Sequence, residues 1–130
     1  MIIVDENIPP NQCRLLGTWR VRTCHIGYDV SRKGLQDSEI IPFLLRQRRP
    51  TFFTLDFDFY DRKLCHSRYC IVCMGVKQYE VAVFVRRLLR HPELNTDAKR
   101  LGSVIRFSHA GLALWQTHSR VEKLLSWGGG

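Results

Sequence analysis

An α/β fold on a mostly parallel sheet is the class this chain predicts, from three observations. Short β-branched or aromatic runs alternate with longer segments of helical period, the order expected of parallel strands joined by crossover helices. Two of those runs stop abruptly in acid: Ile2-Ile3-Val4 at Asp5-Glu6-Asn7, and Thr51-Phe52-Phe53-Thr54 at Asp56 and Asp58. The 130 residues suffice for one hydrophobic core, and no solenoid-type repeat or long linker divides them. One domain over residues 1–127 with a frayed, flexible tail at 128–130 is therefore expected.

The elements follow in order. Residues 2–4 read as a buried strand with a polar C-terminal end. Pro9-Pro10 opens a helix that Gly17 closes, following the preference for proline at helix starts and glycine at their ends. Residues 19–24 read as a second strand and 27–34 as a polar loop. Asp37 opens a helix bearing Ile40, Ile41, Leu44 and Leu45, with acid first and arginines last, as the helix dipole favours. Pro42 predicts a kink or a late start there, because an interior proline costs about 3 kcal/mol. A third strand at 51–54, a basic loop carrying Arg62, Lys63 and Arg68, a fourth strand at 69–76 and a helix at 78–90 come next. Residues 103–107 and 112–115 bracket Ser108-His109-Ala110-Gly111 as a hairpin, followed by a polar tail.

Charge and composition narrow the class. With 45% apolar and 25% charged residues the chain has the make-up of a folded globular protein. No apolar run is long enough to span a bilayer, and the opening residues lack a secretory signal, so a soluble, cytoplasmic protein is expected. The net charge is +8, and residues 61–130 hold twelve basic against five acidic side chains, whereas residues 1–60 hold eight against seven. Such a field favours polyanions, nucleic acid foremost. Arg86, Arg87 and Arg90 lie mainly off the apolar face of their helix, where they are either a solvated surface or, with Arg62 and Lys63, contacts for RNA. Cys65, Cys70 and Cys73 match the opening spacing of an iron–sulfur site, but the fourth cysteine is absent. Cys70 and Cys73 also fall on opposite faces of a strand, so buried thiols are the simpler reading.

The acids carry the functional signal. Ligands of parallel α/β sheets bind beyond the carboxyl ends of the strands, where Asp5 and Asp56 are expected, with Asp37 nearby at a helix start. Carboxylates gathered on one rim repel, and a hard divalent cation relieves that. Magnesium or manganese suits oxygen ligands, whereas His25, His66, His91, His109 and His118 have no zinc-type spacing. A cation held by carboxylates in a basic protein points to phosphodiester hydrolysis. The competing account is that these acids cap helices and loops.

The segments 3–10, from Ile3-Val4-Asp5-Glu6-Asn7 to Pro10, then Asp37-Ser38-Glu39-Ile40, then Thr54-Leu55-Asp56-Phe57-Asp58-Phe59, together resemble a compact PIN-like family related to VapC-type toxin nucleases. The resemblance covers roughly residues 2–60. It implies a three-layer fold with a mostly parallel sheet, a Mg²⁺ or Mn²⁺ site, endoribonuclease chemistry and a small antitoxin partner. By the same resemblance Asp5, Asp37 and Asp56 are metal ligands, Asp58 supports them, and Glu6 and Glu39 adjoin the site. Asn7 ties the first loop, and Thr54 either donates its hydroxyl to a ligand carboxylate or ends a strand. Two departures stand out: the further helical acid of larger PIN nucleases has only Asp29 as a counterpart, in a loop, and Pro42 interrupts the helix of Asp37.

Two other classes stay open. A PIN-like module without catalysis would bind RNA or a partner through Arg86, Arg87, Arg90 and Arg106. An aspartyl-phosphate phosphatase is suggested locally by Asp56-Phe57-Asp58, which resembles the strand end of haloacid-dehalogenase-like enzymes, although Tyr60 stands where those carry Thr or Val. Leu112, Leu114 and Trp115 are candidates for a homodimer face, with core packing the equal alternative.

Overall fold

The computed structural model describes residues 1–31 and 34–128. Of the expected tail, Gly129 and Gly130 lie outside the described residues, as do Arg32 and Lys33 of the expected polar loop. The elements are β1 (Ile2–Val4), α1 (Pro10–Thr18), β2 (Thr23–His25), one π-helical turn (Ile26–Val30), α2 (Asp37–Leu45) and β3 (Thr51–Thr54). Two 3₁₀ turns follow (Phe57–Phe59 and Arg62–Leu64), then β4 (Cys70–Gly75) and a third 3₁₀ turn (Gln78–Glu80). That turn runs into α3 (Val81–Leu89), and α4 (Asp97–Arg100), β5 (Ser103–Ser108), β6 (Gly111–Gln116) and β7 (Lys123–Leu125) complete the order.

A seven-stranded sheet runs in the order β2-β1-β3-β4-β5-β6-β7. From β2 to β5 all neighbours are parallel, while β5–β6 and β6–β7 are antiparallel. Both faces are covered, which explains why the central strands read as unbroken apolar runs. Alternate residues feed alternate cores. Val4, Phe53, Val72 and Ile105 pack with Leu16 of α1 and with Ala82, Val85 and Leu88 of α3. Ile3, Phe52, Ile71 and Val104 pack with Ile40, Phe43 and Leu44 of α2. Phe52 and Phe53 are wholly buried on opposite faces, and truncating either to Ala costs about 3–5 kcal/mol. The parity separates Cys70 from Cys73 as expected, and all five cysteines are free.

Several elements differ from the sequence expectation. Helix α1 continues past Gly17 to Thr18, with Trp19 as its C-cap, and Arg20 rather than the glycine takes the left-handed conformation at φ 64°. Because the chain turns there, β2 begins only at Thr23 instead of 19. Helix α2 starts at Asp37 and tolerates Pro42 in its interior. Burial of Ile40, Phe43 and Leu44 on both sides of the proline outweighs the lost hydrogen bond. The region 117–127 is not a bare polar tail: Lys123–Leu125 pairs with β6, and Trp127 packs on Phe84 and Phe107. Of the two readings of Leu112 and Leu114, a dimer face or core packing, their burial supports the second: they are 4% and 2% exposed within the chain's own core. Among the described residues, no helix is long and apolar enough to cross a membrane.

Candidate functional site

β1 is an interior strand, with the edge strand β2 on one side and β3 on the other, so the chain reverses its direction of travel across the sheet at β1. The crevice at the carboxyl ends of β1 and β3 is therefore the topological switch point, where open parallel sheets bind ligands. Asp5 leaves β1 with its N–H still donating to the Phe53 carbonyl (3.0 Å), so its backbone belongs to the ladder. Thr54 ends β3 fully buried. Its hydroxyl donates to Asp5 Oδ2 (2.7 Å) and accepts the Asp56 N–H (3.0 Å), so it both ends the strand and grips a carboxylate. The other Asp5 oxygen, Oδ1, accepts the Glu6 N–H (2.8 Å), and Asp56 Oδ1 accepts the Asp58 N–H (2.8 Å). Asp5 and Asp56 are thus clamped on one hydroxyl, each half-buried, while Asp58 is exposed on the turn beyond.

Behind them lies Cys73, paired in register with Thr54. Burial first, and the Asp56 charge second, push its thiol up to about 12, so it is a neutral packing group and not a nucleophile.

The remaining candidates are distributed as follows. Asp37 is exposed at the first position of α2, where it complements the helix dipole, with no hydrogen bond or ion pair to Asp5 or Asp56. Glu39 Oε1 accepts the Gln36 N–H (2.9 Å), which makes it a helix cap. Asn7 ties the first loop through its backbone carbonyl, which accepts Gln78 Nε2 (3.5 Å). Asp29 Oδ2 accepts the His25 N–H (2.7 Å) in the turn after β2. Among the described residues, no three His, Cys, Asp or Glu side chains are grouped to hold a metal ion.

The basic candidates stand apart from the acids. Arg86 lies 4.6 Å over the Trp19 ring, between α3 and the end of α1, and that end is at the amino edge of the sheet. Arg87 caps Trp127 at 4.6 Å, and Arg90 is exposed past the end of α3. Arg62 lies 5.7 Å over Trp115, and the Lys63 N–H caps Asp61 (2.9 Å). The basic group that does reach the carboxyl edge is one the sequence reading left out: Lys77, after β4, beside His109, after β5, around a cleft of about 350 Å³. His109 Nε2 bonds Glu80 Oε2 (2.7 Å), and that bond, with the Lys77 N–H, holds the Glu80 carboxyl below its ordinary range. Nothing in spacing marks this pair, because the two residues are 29 apart and meet only when β4 and β5 align.

At the other end of the edge, His25 closes β2, 4% exposed. Its Nδ1 accepts the Gly27 N–H (3.0 Å), which leaves the proton on Nε2 to donate to the Ile8 carbonyl (2.8 Å). The imidazole is therefore a strut between the β1 and β2 loops. Comparison with known proteins gives no match to any family model, curated protein or solved structure. The fold and site together define an α/β protein with a mostly parallel sheet and paired acids at its switch point.

Proposed function

We propose that the protein is a metal-dependent endoribonuclease of PIN-like architecture, with β5–β6 as its C-terminal hairpin, and that it is the toxin of a toxin–antitoxin pair. The observation that carries this is the Thr54 hydroxyl holding the Asp5 carboxylate beside Asp56 at the switch point. The donor set suits a hard, hydrated cation, since Mg²⁺ commonly takes one or two carboxylates and keeps its remaining waters for exchange with phosphate oxygens. Asp5 and Asp56 would hold it; Asp37 stands outside this pair. When bound, Mg²⁺ or Mn²⁺ supplies a water of lowered pKa and neutralises phosphate charge. The chain's own residues do the rest. Thr54 and the Glu6 N–H fix the Asp5 rotamer, the Asp58 N–H fixes that of Asp56, and the Asp58 carboxylate stands exposed on the turn beyond. The net charge of +8 draws RNA to the surface.

Cleavage of single-stranded RNA with added Mn²⁺ or Mg²⁺ is the test. Asp5→Asn and Asp56→Asn abolish cutting with the circular-dichroism spectrum unchanged. Thr54→Val, which removes only the clamp, lowers it about 10- to 100-fold, and Thr54→Ser restores it. Folded protein that cuts no RNA pool with either metal overturns the reading. A second reading, a module that binds RNA or an antitoxin without catalysis, is favoured by one observation: among the described residues Asp37 does not join Asp5 and Asp56 in a group of three able to hold a metal ion. In that case RNA binding persists in EDTA and in the Asp variants while no cleavage is seen.

A further inference from the structure

A cleft of about 450 Å³ at the carboxyl edge is lined by Glu6, which follows Asp5, and by His25, Gly27 and Tyr28. Its construction is specific. His25, locked by its two hydrogen bonds, meets the Tyr28 ring in a T-shaped contact (centroids 4.8 Å, planes at 66°). Tyr28 is thereby held at one place while remaining 71% exposed. Two glycines make room for Glu6. An added Cβ at Gly27 would lie 3.3 Å from Glu6 Cβ, and one at Gly34, whose φ of +72° already favours glycine, would collide with the Glu6 carboxylate. The cleft thus presents an aromatic surface and an exposed carboxylate one residue from the acid pair.

We infer that this cleft receives a guanine base of single-stranded RNA, next to the phosphate held at Asp5 and Asp56. The substrate class rests on the ribonuclease reading, whereas the recognition chemistry does not. Unpaired bases are recognised by stacking on aromatic side chains and by hydrogen bonds to their Watson–Crick edge. Tyr28 supplies the stack, which is tolerant of base identity. Glu6 supplies the choice. An ionised carboxylate only accepts, through two oxygens, so it matches an edge with two adjacent donors. Guanine alone offers that, with N1–H beside the N2 amino group. Adenine and cytosine each set one donor beside an acceptor, and uracil sets one donor between two acceptors, which the carboxylate repels.

Glu6→Gln makes the inference sharp, because an amide pairs one acceptor with one donor and so matches adenine as well as the O6 and N1–H of guanine. Two readouts are used. In the first, nuclear magnetic resonance titration in EDTA compares guanosine and adenosine 5′-monophosphate, with no cleavage required. Wild-type protein prefers the guanine nucleotide by about tenfold, Glu6→Gln reverses or erases the preference, Tyr28→Ala weakens both by about tenfold, and Tyr28→Phe restores them. In the second, the ends of RNA cut by wild-type protein are enriched in G beside the scissile bond, and those cut by Glu6→Gln lose that enrichment. Equal affinity for the two nucleotides, a guanine preference untouched by Glu6→Gln, or cuts made without regard to G each overturn the inference. If no RNA is cut, the ribonuclease reading falls and the titration alone decides this one.

Discussion

Thr54 shows how much a single hydroxyl settles. It is the last residue of β3, fully buried, and spends its one proton on Asp5 and a lone pair on the Asp56 amide. Cys73, its register partner, shows the opposite outcome of burial: with no donor to stabilise a thiolate and the Asp56 charge nearby, the group stays protonated. The folded pKa of about 12 lies above the reference value of 9.0, so unfolding releases a proton as pH rises between those values. Stability attributable to Cys73 is complete below about pH 9 and declines as pH rises toward 12. Urea midpoints measured from pH 8 to 11 fall less steeply in Cys73→Ala than in the wild type; equal slopes assign the alkaline loss elsewhere. Asp5 and Asp56 were legible as neighbours of Thr54 at one sheet edge because each follows an apolar run that ends without a gradient. The cleft of Glu6 and Tyr28 was not, since it depends on a buried histidine and two glycines that sequence spacing does not connect.

At the scale of elements, burial repeatedly overrides local rules. α2 keeps Pro42 because three core residues anchor it, and α1 ignores Gly17 as a stop because the turn that aligns β2 with β1 falls three residues later. That placement puts an exposed arginine at φ 64°, a conformation that costs an L-residue about 1–2 kcal/mol. Arg20→Gly therefore raises stability, by up to about 1 kcal/mol once glycine's extra chain entropy is deducted, read as an increased urea midpoint with unchanged slope. Unchanged or lowered stability shows that the guanidinium makes a compensating contact. Short edge elements were the hardest to read. β2 and β7 have three residues each, too few for a period of two to stand out.

Across the whole molecule, the parallel core was legible and its closure was not. Runs at 2–4, 51–54 and 70–75 carry apolar residues on both faces because both are covered, and that signature survives without any knowledge of partners. The late segment is different, since its packing is carried by one aromatic. Trp127 meets Phe84 at 5.5 Å and Phe107 at 5.4 Å, takes Arg87 on its ring, and donates Nε1–H to the Ser108 carbonyl (2.7 Å). Trp127→Ala costs about 2 kcal/mol, roughly half the price of a fully buried tryptophan, as measured by equilibrium unfolding. A loss within 0.5 kcal/mol would mean that the segment rests on the surface without supporting the core. The charge map divides along the chain in the same way: the acids of the candidate site lie in the first 60 residues, and most of the positive excess lies in the last 70.

The clamp between β1 and β3 has one more consequence. Its two ends are 49 residues apart and sit on neighbouring central strands, so no local fraying releases Asp5 from Thr54. The pair comes undone only when the middle of the sheet does, and amide exchange at Asp5 and Asp56 would then report the opening of the entire molecule rather than the breathing of a loop.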